Sequence, residues 1–333
     1  MEAQRVDRPT AAPAPRQVSE LLRRHGIFVG LGCLVVLNVI ITPHFWAWTT
    51  LRLQLQQVTP LVFTSLGMAF VVATKGIDIS VGAVMAVASV VAALAIGPLG
   101  WPVAVLLALG SAAACGLLNG SLVAFLRIQP IVATLGFLVA GRGLASVIVD
   151  GKSKSLYDDT FISFGRRYFE LPFGASVPLA AVVWVALSLA IWWLVRSTRF
   201  GFLVRAAGAN PVAAGLSGQR VRRTTVSVYV ISGVLAGIAG MYVTALAANS
   251  DATQVGLLME LDAIAAVVVG GTTLQGGELS VPRTVAGANF VLLTETTLLR
   301  NNVDTALTQL ISGLIILAAV FVAARISRRS ERM

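Results

Sequence analysis

Apolar stretches long enough to cross a bilayer recur along almost the whole chain, and they limit its possible folds more than any other feature. A transmembrane helix needs roughly 17 to 25 mostly apolar residues. The pattern predicts an all-α polytopic membrane protein with about ten transmembrane helices, with eight as the alternative. The candidate stretches lie near residues 27–42, 58–74, 79–97, 102–126, 130–149, 177–195, 224–247, 258–271, 281–299 and 306–324.

The stretch near 258–271 is the weakest of these candidates. It is short, and Asp262 stands near its start. Irregular backbone at membrane depth is tolerated where other parts of the protein cover it. The sequence therefore predicts either a span or a broken, re-entrant segment at this position.

The composition excludes an ordinary soluble domain. Of the 333 residues, 56% are hydrophobic and only 12% are charged, whereas soluble domains have about 25% charged residues. The net charge of +10 is spread over the connections between apolar stretches, so we expect contacts with membrane lipids and no nucleic-acid partner. Cys33 and Cys115 lie in apolar stretches without metal-ligand spacing and are interpreted as packing residues.

Basic residues concentrate on alternate connections, which predicts the orientation of the chain. Short loops rich in Lys and Arg stay on the cytoplasmic side. Both termini are then cytoplasmic, as a tail at residues 1–26 and a basic tail at 325–333, with the transmembrane domain at 27–324 between them. The longest external loop is predicted at 150–176, where it either docks an external partner or only caps the helices. The segment 196–223 is predicted to be cytoplasmic.

That cytoplasmic segment contains the signals of a short helix. It carries six arginines and no acidic residue. Asn210 is a good N-cap, Pro211 suits the first helical position, and Gly218 can end the helix in the left-handed conformation. The helix is interpreted either as a linker held at lipid headgroups or as a projection received by a motor subunit.

Two glycine-containing breaks interrupt the apolar pattern. In T-K-G-I-D-I-S-V-G at 74–82, Gly76 would permit an unusual backbone, and Asp78 or Ser80 would cap a helix that begins near Val81. The alternative role of this break is a hinge that changes conformation during transport. The second break lies at 269–278 and contains Gly270, Gly271, Gly276 and Gly277.

Glycine pairs in the apolar stretches predict close helix packing. Isolated polar residues in the same stretches are candidates for a transport pathway. Gly116 with Gly120, and Gly233 with Gly237, have the small-xxx-small spacing that lets helix backbones approach closely. Polar residues within spans are rare and usually functional. Arg142 and Glu295 are expected to line or brace the transport pathway. The pathway candidates together are Asn119, Thr134, Arg142, Asn289 and Glu295.

Signatures of catalysis are absent from the sequence. His25 and His44 each stand alone at a membrane boundary, without a ligand cluster or a nucleophile. The G-K-S at 151–153 is not a phosphate loop, because Ser146 stands where that motif requires glycine. We therefore expect no catalytic residue, no metal and no cofactor bound by this chain.

Several motifs together resemble the permease subunits of ribose- and galactofuranose-type ATP-binding-cassette (ABC) sugar importers. The resemblance extends from about Pro43 to Val322 and departs from the family at Lys75 and at Glu278–Leu279. The motifs are P-H-F-W at 43, K-G-I-D-I-S-V-G-A-V-M-A at 75, I-Q-P-I-V-A-T-L at 128, V-A-G-R-G at 139, A-A-G-A-N-P-V-A-A at 206 and E-L-D-A-I-A-A-V-V-V-G-G at 260.

The resemblance implies a type II ABC-importer-like permease in the inner membrane that carries a monosaccharide. Its expected partners are ATPase subunits that bind ATP and Mg²⁺, a second copy or a sister permease, and a periplasmic sugar-binding protein. The small apolar face of the predicted cytoplasmic helix would receive the ATPase. The alternative is an ion-coupled secondary transporter of a small polar solute. The residues expected to form the ATPase contact are Gly208, Asn210, Pro211, Ala213, Ala214, Gly215, Ser217 and Gly218.

Overall fold

The computed structural model describes residues 15–170 and 175–331. Three parts of the predicted segments lie outside the described residues: the amino-terminal tail up to residue 14, residues 171–174 of the external loop, and residues 332–333. The first helix begins at Pro15, inside the stretch predicted as a tail.

The described chain is mainly helical and carries two short antiparallel β-ribbons. Strand β1 (Lys154–Ser155) pairs with β4 (Asn249–Ser250), and β2 (Tyr168–Glu170) pairs with β3 (Ser176–Pro178). The helices are α1 (Pro15–Ile41), α2 (Trp48–Ala73), α3 (Val81–Ala124), α4 (Pro130–Ile148), α5 (Asp159–Arg166), α6 (Leu179–Ser197), α7 (Arg199–Ala209), α8 (Pro211–Leu216), α9 (Val221–Ala247), α10 (Met259–Val269), α11 (Val281–Arg300) and α12 (Thr305–Glu331).

Five of the described helices, α2, α3, α4, α6 and α9, are long and apolar enough to cross a membrane. Two shorter apolar stretches, His25–Ile41 in α1 and Thr305–Ile315 in α12, accompany them. These helices agree with a polytopic membrane protein. The count of ten spans and the cytoplasmic position of both termini remain predictions.

Helix α3 is a 44-residue element that covers two of the predicted apolar stretches. Gly100 interrupts it with a φ of 76°, and Pro98 and Pro102 flank the interruption. A proline removes a helical N–H and kinks the helix that contains it. The two halves of α3 are therefore separate helical segments joined at Gly100.

Both halves of α3 pack closely on α9, as the glycine pairs predict. An added Cβ on Gly116 would overlap the backbone of Tyr229, and one on Gly233 would overlap the carbonyl of Ala112. Gly240 is in similar backbone contact with Met85, in the first half of α3. Small residues allow this approach where lipid gives no hydrophobic drive for helix association.

Contacts between distant segments define two ends of the bundle. One end contains α7 and α8, and we call it the basic end because six arginines lie in the surrounding segment 196–223. There Gly277 donates its N–H to the carbonyl of Ala73 at 2.8 Å, and Gly208 lies against both residues. At the opposite end, Trp48 Nε1 donates to the carbonyl of Ser176 at 2.8 Å. The pairing of β1 with β4 also lies at the opposite end.

Helix α10 has only 11 residues, too few to cross the hydrocarbon core at 1.5 Å per residue. It follows a non-helical segment, residues 251–258, that ends at Leu258 with a φ of 61°. The structure therefore agrees with the broken segment predicted near 258–271.

Candidate functional site

The short helix predicted at the basic end is present as α8, and its cap is confirmed. The side-chain oxygen of Asn210 accepts hydrogen bonds from the N–H groups of Val212 at 3.1 Å and Ala213 at 3.0 Å. Pro211 is the first helical residue. Gly218 follows the helix with a φ of 78°, a conformation that favours glycine.

The exposed apolar residues of α8 differ from those expected. Ala214 is buried, with 7% of its surface exposed, whereas Val212 is 70% and Leu216 is 86% exposed. Ala213 and Gly215 are also exposed, and an added Cβ on Gly215 would meet open space. The accessible apolar surface of α8 therefore consists of two large side chains, while Ala214 packs inside the chain.

A basic groove lies beside α8. It has a volume of about 610 Å³ and is lined in part by Phe125, Gly215 and Arg222. Phe125 is 54% exposed although it is aromatic. The end of α3 and the start of α9 thus extend the exposed apolar surface of α8 into a concave, positively charged surface.

The break after α2 has a different geometry from the one expected of it. Lys75, not Gly76, adopts the positive φ, at 64°. Position 76 has no space for a side chain, because an added Cβ on Gly76 would lie 2.7 Å from the Tyr229 hydroxyl and 2.8 Å from a Val71 methyl group. The prediction that Gly76 supplies an unusual backbone conformation is wrong.

The capping role expected of Asp78 or Ser80 is also wrong. Ser80 occupies the N-cap position of α3 but makes no side-chain cap hydrogen bond. Asp78, which is 2% exposed, instead accepts hydrogen bonds from the Ser80 N–H and hydroxyl and from the Ser232 hydroxyl at 2.8 Å. The carboxylate therefore joins the break to the middle of α9.

Two further pathway candidates join this polar cluster. Asn119 Nδ2 donates to the Ser80 hydroxyl at 2.9 Å. Thr134 accepts from the Ile79 N–H at 3.2 Å and lies within hydrogen-bond distance of the carbonyl of Ile77. The cluster therefore links the break to the second half of α3 and to α4, and both candidates brace the fold from buried positions.

Arg142 of α4 holds the segment that leads into α10. Its guanidinium donates to the carbonyl of Gly256 at 2.7 Å and to those of Ala252, Thr253 and Val255 at 3.3 to 3.5 Å. An Arg fork presents several donors in fixed directions, which suits a turn whose carbonyls converge. The side chain therefore braces this turn, and its expected role in the transport pathway stays a prediction.

The same turn carries a second side-chain contact outside the helices. Thr253 donates through its hydroxyl and its N–H to the carboxylate of Asp251. These hydrogen bonds stabilise the charged form and hold the pKa of Asp251 below its usual value.

Acidic residues on α10 and α11 lie within electrostatic reach of one another, and Glu260 also interacts with Arg142. Glu260 is buried, one of its carboxylate oxygens has no hydrogen-bond partner among the described residues, and its charge interacts with that of Arg142. Asp262 lies within electrostatic reach of both Glu260 and Glu295. The structure thus places Glu295 beside α10, within electrostatic reach of Asp262.

The remaining candidates have simpler environments. Gly271, Gly276 and Gly277 adopt positive φ values in the connection between α10 and α11, and Gly270 ends α10. Asn289 donates to the carbonyl of Val285 in its own helix at 2.9 Å. This bond does not join Asn289 to the polar cluster around Asp78.

Sequence reasoning did not single out Ser232, Tyr229 or Glu260. Ser232 and Tyr229 lie in an apolar helix with no local signal of their contacts with the break. Glu260 heads the E-L-D motif, and a carboxylate within an apolar stretch is itself a sign of function. Among the side chains that the structure describes, no three His, Cys, Asp or Glu residues are grouped so that they could hold a metal ion.

The apolar helix bundle and its broken segments define a multi-pass membrane protein. Residues 52–320 match the family described as branched-chain amino acid transport system / permease component. The chain belongs to this family, and it is located in the inner membrane.

The chain is similar to several sugar permeases over most of its length. It is 35% identical over 306 residues to the galactofuranose transporter permease protein of Escherichia coli (strain K12), covering 88% of this chain and 87% of that protein. It is 34% identical to the fructose import permease protein of Bifidobacterium longum, covering 84% and 79% of the two chains. It is 33% identical to the ribose import permease protein of Bacillus subtilis, covering 90% and 92%. No solved structure matches the chain.

Proposed function

We propose that this chain is the translocation subunit of an ATP-driven importer for a neutral monosaccharide. The similarity to permeases whose names specify galactofuranose, fructose and ribose, over most of each chain, supports the substrate class. The chain carries no nucleotide-binding motif. ATP and Mg²⁺ are then bound by a separate ATPase subunit, and the monosaccharide is delivered by a periplasmic binding protein.

The observation that supports α8 as the contact with the ATPase is the exposure of Leu216. A leucine that is 86% exposed beside Val212, at 70%, forms an apolar projection on a surface otherwise rich in arginine. Interface contacts concentrate on large apolar side chains that are buried on binding. In the proposed arrangement, α8 and the groove beside it contact the ATPase, and the basic end faces the cytoplasm.

A charge at Leu216 tests this assignment. In a complex purified from cells that express the chain with its ATPase, Leu216→Asp should lower the amount of co-purified ATPase about tenfold or more, because a buried unpaired charge opposes binding. Tyr157→Asp is the matched control, since Tyr157 is 88% exposed but lies at the opposite end. Normal ATPase association of the Leu216→Asp variant would refute the contact.

Transport by the reconstituted chain tests the energy source. Proteoliposomes that contain the chain, its ATPase and its binding protein should accumulate labelled ribose, fructose or galactofuranose only when ATP is supplied. Uptake by the chain alone, driven by a proton or sodium gradient, would contradict the proposal and favour the ion-coupled secondary transporter. The stoichiometry of permease copies is read from the mass of the same complex.

A further inference from the structure

Three segments from distant parts of the sequence meet at the basic end. The carbonyl of Ala73, at the end of α2, accepts the hydrogen bond from Gly277. An added Cβ on Gly208 would overlap that carbonyl and lie 2.6 Å from the Gly277 nitrogen. We call residues 73–76, 208–209 and 276–277 the three-segment junction. Its backbones are in direct contact, so one segment cannot shift without displacing the others.

Lys75 is the side chain that crosses this junction. Its ammonium group donates to the carbonyl of Ala209 at 3.2 Å. Ala209 ends α7 and immediately precedes Asn210, the N-cap of α8. A cation is favourable at the carboxyl end of a helix, where carbonyls lack intrahelical partners. The side-chain stem lies over Gly276, where an added Cβ would be 2.6 Å from Lys75 Cγ.

Lys75 combines a left-handed backbone with a side-chain hydrogen bond to Ala209. A φ of 64° disfavours any residue with a Cβ, and glycine would adopt it without strain. A cation needed only for membrane orientation could stand at any neighbouring exposed position. The strained position is the one from which the ammonium group reaches Ala209.

The residues that follow Lys75 are tightly packed and hydrogen-bonded. Gly76 fits against Tyr229 and Val71 without room for a methyl group. Two residues further, Asp78 is bonded to Ser232 of α9. A displacement at Lys75 is therefore transmitted through this short tight segment to the buried polar cluster and to the start of α3.

We propose that Lys75 is a positioning residue that fastens the end of α7 and the start of α8 to the α2–α3 break, so that movement of α8 shifts the start of α3. This inference rests on the proposed function, because it requires an ATPase that moves α8. The hydrogen bond is exposed and weak, so it contributes little to folding and can break and re-form within a transport cycle.

The test compares Lys75→Met with Arg127→Met. Arg127 is also an exposed cation with a positive φ, 56°, and no side-chain hydrogen bond of it is found among the described residues. Both variants thus lose a charge from a left-handed position. The measured quantity is the number of sugar molecules transported per ATP hydrolysed, in proteoliposomes that hold the whole complex, together with the amount of bound ATPase.

Lys75→Met should lower the ratio of sugar to ATP about threefold or more, the scale on which single residues change coupling between sites. Bound ATPase and ATP hydrolysis should stay at the level of the unmodified complex. Lys75→Arg, which keeps a long cationic donor, should restore most of the ratio, and Arg127→Met should leave it unchanged.

Four results would overturn the inference. An unchanged ratio in Lys75→Met shows that the bond transmits nothing, and an equal loss in Arg127→Met assigns the effect to charge alone. Loss of the ATPase or of folded complex in Lys75→Met makes the role one of assembly. If the unmodified complex shows no ATP-dependent uptake, the proposed function itself fails, and the inference fails with it.

Discussion

A buried carboxylate needs donors from its surroundings, and Asp78 receives three. Ser80 supplies two of them from the same break, and Ser232 supplies the third from α9. Transfer of an unpaired carboxylate out of water is strongly unfavourable. The position of Asp78 is therefore tied to the position of Ser232, and the break cannot rearrange locally without breaking this hydrogen bond.

Asp78→Ala should destabilise the folded chain by about 2 to 4 kcal/mol, because it leaves buried donors without an acceptor. Asp78→Asn retains an acceptor oxygen and should cost less. Unfolding in mixed detergent and dodecyl sulfate, followed by circular dichroism, measures the difference. Asp159→Ala removes an exposed carboxylate and is the control; equal stability of Asp78→Ala and Asp159→Ala would contradict the account.

At the scale of elements, the contact between α3 and α9 depends on where glycine stands rather than on how many glycines there are. Gly116 leaves no space between α3 and the backbone of Tyr229, whereas an added Cβ on Gly110 of the same helix would meet nothing within 4 Å. Glycine is less favourable than alanine in a helix by about 1 kcal/mol. The same substitution should therefore have opposite effects at these two positions.

Gly116→Ala should lower stability by about 1 to 3 kcal/mol through overpacking, and Gly110→Ala should leave it unchanged or raise it slightly. The same detergent unfolding measurement distinguishes them. Destabilisation of similar size by both substitutions would show that glycine matters here for chain flexibility and not for close packing.

The segment before α10 is a second element held by side-chain contacts with another helix. Arg142→Lys keeps the positive charge near Glu260 but loses the fork that reaches several carbonyls. We expect amide hydrogen exchange of residues 250–258 to accelerate about tenfold or more, because each lost charged hydrogen bond is worth about 1.5 to 3 kcal/mol. Lys152→Ala, at an exposed cation of the external loop, should not change it. Unaltered exchange in Arg142→Lys would show that the Arg142 fork does not hold the segment.

At the scale of the whole molecule, the two ends of the bundle differ in kind. The basic end presents α8 among arginines, and the opposite end carries α5 and the two β-ribbons. The Arg and Lys bias predicts that the basic end is cytoplasmic. Tyr157 and Ser217 are exposed at opposite ends and can report this orientation.

The orientation is tested in a chain whose Cys33 and Cys115 are replaced by alanine. A membrane-impermeant maleimide should label Tyr157→Cys in intact spheroplasts and Ser217→Cys only after the membrane is opened. The reverse pattern would place the basic end outside and remove α8 as the contact with a cytoplasmic ATPase.

Sequence patterns within short segments predicted much of the fold. Apolar length predicted α2, α4, α6 and α9 as spans, and Pro98, Gly100 and Pro102 account for the division of α3. The N-cap at Asn210 was predictable because a cap involves residues two or three positions apart. These properties depend on neighbouring residues, so the sequence expresses them directly.

The contacts around the α2–α3 break could not be predicted, because they depend on distances between residues far apart in the sequence. The sequence favoured Asp78 as a cap because Val81 is near in sequence, but its carboxylate accepts a hydrogen bond from Ser232 of α9 and does not cap α3. Gly76 appeared to supply backbone freedom, whereas Lys75 takes the left-handed conformation and Gly76 supplies space. The chosen conformation depends on what packs against each position.

By itself, the sequence determined a membrane-spanning helical chain, its broken segments and the short helix at its basic end. Hydrophobic length, charge bias and capping act over a few residues, and each is visible in the order of amino acids. Tertiary structure alone decided that Lys75 reaches Ala209, that Arg142 holds the turn at Gly256 and that Ala214 is buried. Those outcomes follow from how whole helices pack, because a side chain bonds to whatever the packing brings within its reach.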